Sequence, residues 1–364
     1  MQRIRIRNAA IKVVWPRRAN FMHLILLTLL GCKPPATLAP DHCAHAVDTH
    51  VRTADGAEVA LHRHVGQGPP VLIIHGISSN HRFWDLTEIH SLPVILADEG
   101  FDAWALDLRG HGSAMETAEG TPQRHGWTVD DYGQHDVDAA IRHIQAETGR
   151  SQVAVVGHSM GGMVMAAYHA AHGDDALAAL VVVGSPLLFD QKTTVNRIKT
   201  MGASVGQIWR RFNTQKVAKA AAHTIPLPGE GLLYTRSNIT PKMRRTMLSQ
   251  VASPLSREEL GHFQDIFKAG RFISADGATD YLESLATLDV PLLSIAGAND
   301  RVAPPDSVAA WTQHAGSSDE TQWIMSEGNG QAADYGHLDL VLGNEAREDV
   351  LNPIVSWLEP RLSP

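Results

Sequence analysis

The stretch Gly157-His158-Ser159-Met160-Gly161 reads G-x-S-x-G, and its surroundings decide what the serine can do. Before it, Ser151-Gln152-Val153-Ala154-Val155-Val156 is a short β-branched run that reads as a buried strand. After it, residues 162–171 have helix-forming composition and an apolar face. Strand, tight glycine-flanked turn and helix present a serine hydroxyl at the carboxyl end of a strand, near the positive end of a helix. The chemistry such a group offers is nucleophilic attack on a carbonyl carbon. A hydroxyl is a weak nucleophile until a base takes its proton, so a histidine and an acid that orients it should be present.

Val290-Pro291-Leu292-Leu293-Ser294-Ile295-Ala296-Gly297 reads as a second buried strand, and Asp300 lies in the turn just past its end. His337 is the only histidine after residue 314 and stands in a loop ahead of an apolar helix. Asp190, Asp334 and Asp339 compete with Asp300 for the acid's place. The oxyanion of an attacked carbonyl needs preorganised N–H donors. Pro70–Ile74 reads as an earlier strand followed by His75-Gly76-Ile77, so the main-chain N–H groups of Ile77 and Met160 are the expected donors. His75, His111 and His158 read as hydrogen-bonded scaffold.

Taken together and in this order, these stretches and Asp107-Leu108-Arg109-Gly110-His111-Gly112-Ser113 resemble the α/β-hydrolase superfamily. The resemblance implies the chain order serine, acid, histidine, and hence a triad of Ser159, Asp300 and His337 with no metal or cofactor. Thr53-Ala54-Asp55-Gly56, Asp131-Tyr132 and residues 337–343 are similar to stretches of the acid lipases. Met160 departs from that family's usual glutamine, and the loop continues Ile77-Ser78-Ser79-Asn80, which favours an esterase over a strict lipase. Dehalogenases and epoxide hydrolases of this fold carry aspartate where Ser159 stands. Carboxylic esters are the expected substrates. Lactonase, thioesterase, amidase and perhydrolase chemistry remain alternatives, as does a non-catalytic envelope lipoprotein that uses the fold to bind.

Strands are predicted at Glu58–His64, Val71–Ile74, Asp102–Leu106, Gln152–Val156, Ala179–Val183, Pro291–Ala296 and Thr321–Met325. Helices are predicted at Val129–Gly149, Met160–His172, Asp306–Ala315 and Arg347–Leu358. This alternation predicts an α/β fold, a mostly parallel sheet with helices on both faces. The core is expected at 48–186 and 287–364, with 187–286 too long for a plain crossover and read as a helical cap insert. From Gln191 through Ala222 there is no acid, while Lys192, Arg197, Lys199, Arg210, Arg211, Lys216 and Lys219 alternate with apolar residues such as Val195, Ile198 and Trp209. That pattern fits a solvated cap face, or an amphipathic lid that meets an anionic membrane. Met243, Met247, Phe263, Phe267 and Phe272 are candidates for an apolar pocket or for cap core.

The amino terminus carries Arg3, Arg5, Arg7, Lys12, Arg17 and Arg18 without an acid, then the apolar run Phe21–Leu30 and Leu29-Leu30-Gly31-Cys32. It resembles a bacterial lipoprotein signal peptide over 1–31, lipidated on Cys32, with a Pro-rich tether over 32–47. That resemblance implies a membrane anchor at the bacterial cell envelope, and Lys33 favours the outer membrane. Asp41-His42-Cys43 and His45 have metal-ligand residue types without the spacing of a zinc site. Net charge is −8 over 364 residues, and the chain beyond the basic leader is more acidic still, which argues against nucleic acid as a partner.

Overall fold

The computed structural model describes residues 46–190, 211–226 and 229–362. The leader, Cys32, Cys43 and the basic stretch 191–210 lie outside the described residues. Eight strands form one sheet: β1 (Ala46–Arg52), β2 (Glu58–His64), β3 (Pro70–Ile74), β4 (Asp102–Asp107), β5 (Val153–His158), β6 (Leu177–Val183), β7 (Leu292–Gly297) and β8 (Glu320–Met325). Their spatial order is β1-β2-β4-β3-β5-β6-β7-β8. β2 pairs antiparallel with both its neighbours, and every pair from β4 to β8 is parallel.

Burial follows from the sequence of each strand. β4 and β5 are buried at every position, as continuous apolar runs inside a parallel sheet must be. Alternate residues of β3 enter different cores: Leu72 and Ile74 join one apolar cluster, Val71 and Ile73 the other. The first cluster takes side chains from a helix running through Val129–Asp131, Tyr132–Val137 and Asp138–Thr148, and from Met160–His172 and Pro305–His314. The second is covered by Leu92–Asp98 and by the carboxyl-terminal helix through Arg347–Leu351 and Asn352–Leu362. β8 alternates exposed and half-covered residues because it is an edge strand.

Two sequence expectations shift. β1 was not expected, and it starts at Ala46, inside the stretch assigned to the tether; full-length pairing with β2, from Ala46 opposite His64, supplies what its short mixed sequence does not. The long helix after Thr128 contains a wide turn at Tyr132–Val137 rather than a uniform spiral.

Between β6 and β7 the described residues form the helices Thr214–Ala221, Pro241–Gln250, Arg257–Ala269 and Tyr281–Ser284. Ser256 and Glu259 form a capping box that starts Arg257–Ala269, and Gly270 in a left-handed conformation ends it. Met243, Met247, Phe263 and Phe272 are buried in the two apolar clusters, and Phe267 packs against the first. They serve as core.

Candidate active site

Ser159 follows β5 with φ 54° and ψ −121°, a strained conformation for a residue bearing a side chain. Its neighbours impose it. The Ser159 N–H donates to the Val183 carbonyl at the end of β6, and the Ser159 carbonyl accepts from the Ser185 hydroxyl at 2.8 Å. Position 161 must be glycine: a Cβ there would sit 2.4 Å from the Ile74 carbonyl oxygen, where the helix start crosses the end of β3.

This places the Ser159 hydroxyl 2.9 Å from His337 Nε2. His337 Nδ1 is 2.7 Å from Asp300 Oδ2. An ionised carboxylate only accepts, so Nδ1 carries the proton and Nε2 is free to accept from the serine. Asp300 Oδ1 accepts the N–H groups of Val302 and Ala303, both at 2.8 Å, which fixes the carboxylate's orientation. Asn299 N–H bonds the Tyr335 carbonyl, drawing the Asp300 turn toward the His337 loop. Ser159, Asp300 and His337 are each about 5% exposed or less.

The competing acids stand elsewhere. Asp190 is exposed. Asp334 accepts from the Glu327 N–H. Asp339 is fully buried and accepts from Gly336 N–H, Thr235 N–H and Asn238 Nδ2, so it ties the histidine loop to the insert. Burial raises its pKa from the ordinary carboxylate value.

The loop after β3 passes close to the serine: a Cβ on Gly76 would lie 3.0 Å from Ser159 Cβ. Leu108 N–H donates to His75 Nε2, so His75 Nδ1 bears the proton and donates to the Gly76 carbonyl at 2.8 Å. In a planar trans peptide the Ile77 N–H then points the opposite way. Met160 is the first residue of its helix, and its N–H has no acceptor within the helix. Burial lowers the pKa of His75, and burial with the neighbouring His337 lowers that of His158 further. The buried, neutral His158 ring bonds the His337 carbonyl through Nε2. His111 bonds the Arg109 carbonyl through Nδ1.

Several supports carry no sequence signal. Gly184, at φ 54°, leaves room for the acid–base pair; a Cβ there would be 3.3 Å from His337 Nδ1 and 3.4 Å from Asp300 Oδ2. Ser78 holds φ 56° with its hydroxyl on the Ser253 carbonyl and Thr214 Oγ1, both from the insert. The far end of that loop is anchored by the buried Asp107, which accepts from His81 N–H, His81 Nδ1, His62 Nε2 and Ser113 N–H. His62 also bonds Asp48; burial opposes its charge, but the two carboxylates raise its pKa to about 9. The ligand atoms of His62, His81 and Asp107 lie within 4.8 Å of one another. The two rings stack at 3.6 Å, and His62 Nε2 and His81 Nδ1 both meet Asp107 Oδ2, at 3.1 and 2.8 Å, so the carboxylate oxygen already engages both nitrogens as a hydrogen-bonded anchor. In the second carboxylate–imidazole group, Asp55 with Asp131 and His135, Asp55 pairs with Arg109.

The alpha/beta hydrolase fold family matches residues 69–337, from β3 to the histidine. The chain belongs to that family. Triacylglycerol lipase 1 of Arabidopsis thaliana is 24% identical over 86% of this chain and 86% of its own length. A non-heme haloperoxidase of Rhodococcus erythropolis is 25% identical over 70% of this chain and 82% of its own. Among solved structures, a thermophilic esterase from Thermogutta terrifontis superposes with a TM-score of 0.61 at 21% identity, covering 87% of this chain and 100% of that one, a likeness of fold.

Proposed function

We propose that this alpha/beta hydrolase is a serine hydrolase of carboxylic esters. The observation that carries the reading is the hydrogen-bonded line from the strained Ser159 through His337 to Asp300, at 2.9 and 2.7 Å. Ser159 Oγ attacks the ester carbonyl as His337 Nε2 takes its proton. The Ile77 and Met160 N–H groups hold the oxyanion. Asp300 stabilises the imidazolium, which then protonates the leaving alcohol. Water, deprotonated by His337, attacks the acyl-enzyme and releases the acid. No step calls on a metal or cofactor.

The insert over 187–286 acts in this reading as a cap, since Ser253, Gln250 and Asn238 bond the loops around the serine and the histidine. The leader and Leu29-Leu30-Gly31-Cys32 support a lipid anchor on Cys32 that holds the enzyme at the bacterial cell envelope, and Lys33 favours the outer membrane, on its periplasmic or surface face. The haloperoxidase relative supports a second reading, in which hydrogen peroxide rather than water clears the acyl-enzyme and releases a peracid.

The test is labelling of the purified protein with a fluorophosphonate and turnover of a panel of p-nitrophenyl esters. Wild type is expected to label and turn over, and Ser159→Ala to do neither while melting normally. Turnover by Ser159→Ala at the wild-type rate refutes the mechanism. Peracid formation in the presence of peroxide would favour the second reading.

A further inference from the structure

Of the large apolar side chains exposed among the described residues, Val65, Ile89 and Ile324 are scattered, as single exposed apolar residues commonly are. Val217, Ile225 and Leu233 fall instead within one stretch of the insert, at 56%, 83% and 42% exposure. Lys216, Lys219 and Ala220 are exposed on the same helix as Val217. At 100° per residue, positions 219, 216, 220 and 217 fall within an arc of about 160°, and the buried Ala221 marks the edge of that face next to Val217.

This face differs in charge from the rest of the molecule. No acid occurs from Gln191 to Gly229 in a chain whose net charge is −8. The next acid, Glu230, is engaged by Arg244 Nε and Nη2 and by the Tyr234 hydroxyl. Arg244 also bonds the carbonyls of Ala221 and Thr224. One buried arginine therefore neutralises the nearby carboxylate and pins the turn that holds Ile225 in solvent. Leu233, later in the same stretch, accepts the Leu338 N–H, next to His337, through its carbonyl.

We propose that Lys216, Val217, Lys219 and Ile225 form a docking face for an anionic phospholipid surface. Charge selects the partner: lysines flanking apolar side chains are attracted to anionic headgroups, and the apolar groups then enter the boundary between headgroups and acyl chains. A neutral apolar partner would gain nothing from the lysines. The proposal is independent of the reaction assigned to Ser159.

The experiment uses the full chain with phosphatidylcholine vesicles, with and without phosphatidylglycerol, whose acyl chains are brominated. Tryptophan is introduced by Ile225→Trp and, as a control remote in sequence, by Ile89→Trp. The expected result is added quenching for Ile225→Trp over wild type, only when phosphatidylglycerol is present, and none for Ile89→Trp. An anchor elsewhere in the chain would not by itself place position 225 in lipid in preference to position 89. Lys216→Gln with Lys219→Gln should weaken binding to the anionic vesicles by about thirty-fold at low salt. Hydrolysis of p-nitrophenyl acetate in solution should stay at the wild-type rate, so failure of the docking face and failure of the esterase reading are distinguishable. Equal quenching at positions 225 and 89, equal quenching in neutral vesicles, or an unchanged affinity for the lysine variant overturns the proposal. Self-association that Ile225→Ser abolishes, without quenching, would assign the face to a second copy of the chain and overturn it too.

Discussion

Replacing Asp300 by asparagine tests the acid through the orientation of one side chain. Asp300 Oδ1 receives two backbone N–H groups at 2.8 Å, and Oδ2 receives His337 Nδ1–H at 2.7 Å. Asparagine has one acceptor oxygen. Aimed at Val302 and Ala303, it turns its NH₂ toward His337 and demands an unprotonated Nδ1. The histidine proton then sits on Nε2, which donates to Ser159 instead of accepting from it. The flipped amide would restore the histidine but leave the half-buried Val302 N–H and the buried Ala303 N–H facing an NH₂, at about 1–3 kcal/mol for a buried donor left unpaired. The wrong tautomer is therefore favoured. The corresponding change in a well-studied serine protease lowers kcat about 10⁴-fold, or about 5 kcal/mol of transition-state stabilisation. Asp300→Asn should fall by a similar factor in p-nitrophenyl acetate turnover and label slowly with fluorophosphonate, with little change in thermal melting. Turnover within tenfold of wild type would refute the assignment, and a large loss in Asp190→Asn instead would move the acid there.

Glu259 is fully buried on the insert, and burial raises its pKa to about 8, against the lowering influence of the Ser256 N–H. A raised carboxyl pKa means that the folded state holds its proton while the unfolded chain releases it. Stability is then greatest below the unfolded pKa of about 4.5 and declines as pH rises toward 8, by on the order of 3 kcal/mol between pH 4.5 and 7. Glu259→Gln should remove that slope and be the more stable protein at pH 8, as read by urea denaturation at both ends of the range; parallel pH dependences would contradict it. Gly184→Ala places a side chain at φ 54° beside His337 and Asp300, so the unfolding free energy read by urea denaturation should fall by about 1–2 kcal/mol and kcat should fall more than KM rises. Cys32→Ser should leave an unprocessed, unlipidated precursor by mass spectrometry, and an unmodified wild-type Cys32 would exclude the anchor.

The sequence by itself was enough to place Ser159 on a strand–turn–helix elbow and to predict the β2 strand at Glu58–His64 and the helix at Met160–His172, both observed at those bounds. Those features are local: a β-branched run, a glycine where a turn must tighten and a helical apolar face each reveal themselves within a few neighbouring residues. Asp300 and Asp190 could not be separated in the same way, since each follows a parallel strand on the same side of the serine's, β6 next to it and β7 one strand further. The neighbouring β6 and β7 offer two turns at the same edge of the sheet, and only the fold shows Asp300 meeting His337 while Asp190 faces solvent. The hydroxyl of Ser185 on the Ser159 carbonyl, the close approach of Gly184 to His337 and Asp300, Asp339 binding Asn238, and the insert's Ser253 on Ser78 are likewise tertiary. Each joins groups far apart in the chain, where one serine or aspartate looks like any other. What distinguishes them is which backbone group the packed sheet and insert leave pointing at them, and that is decided only when the chain has folded.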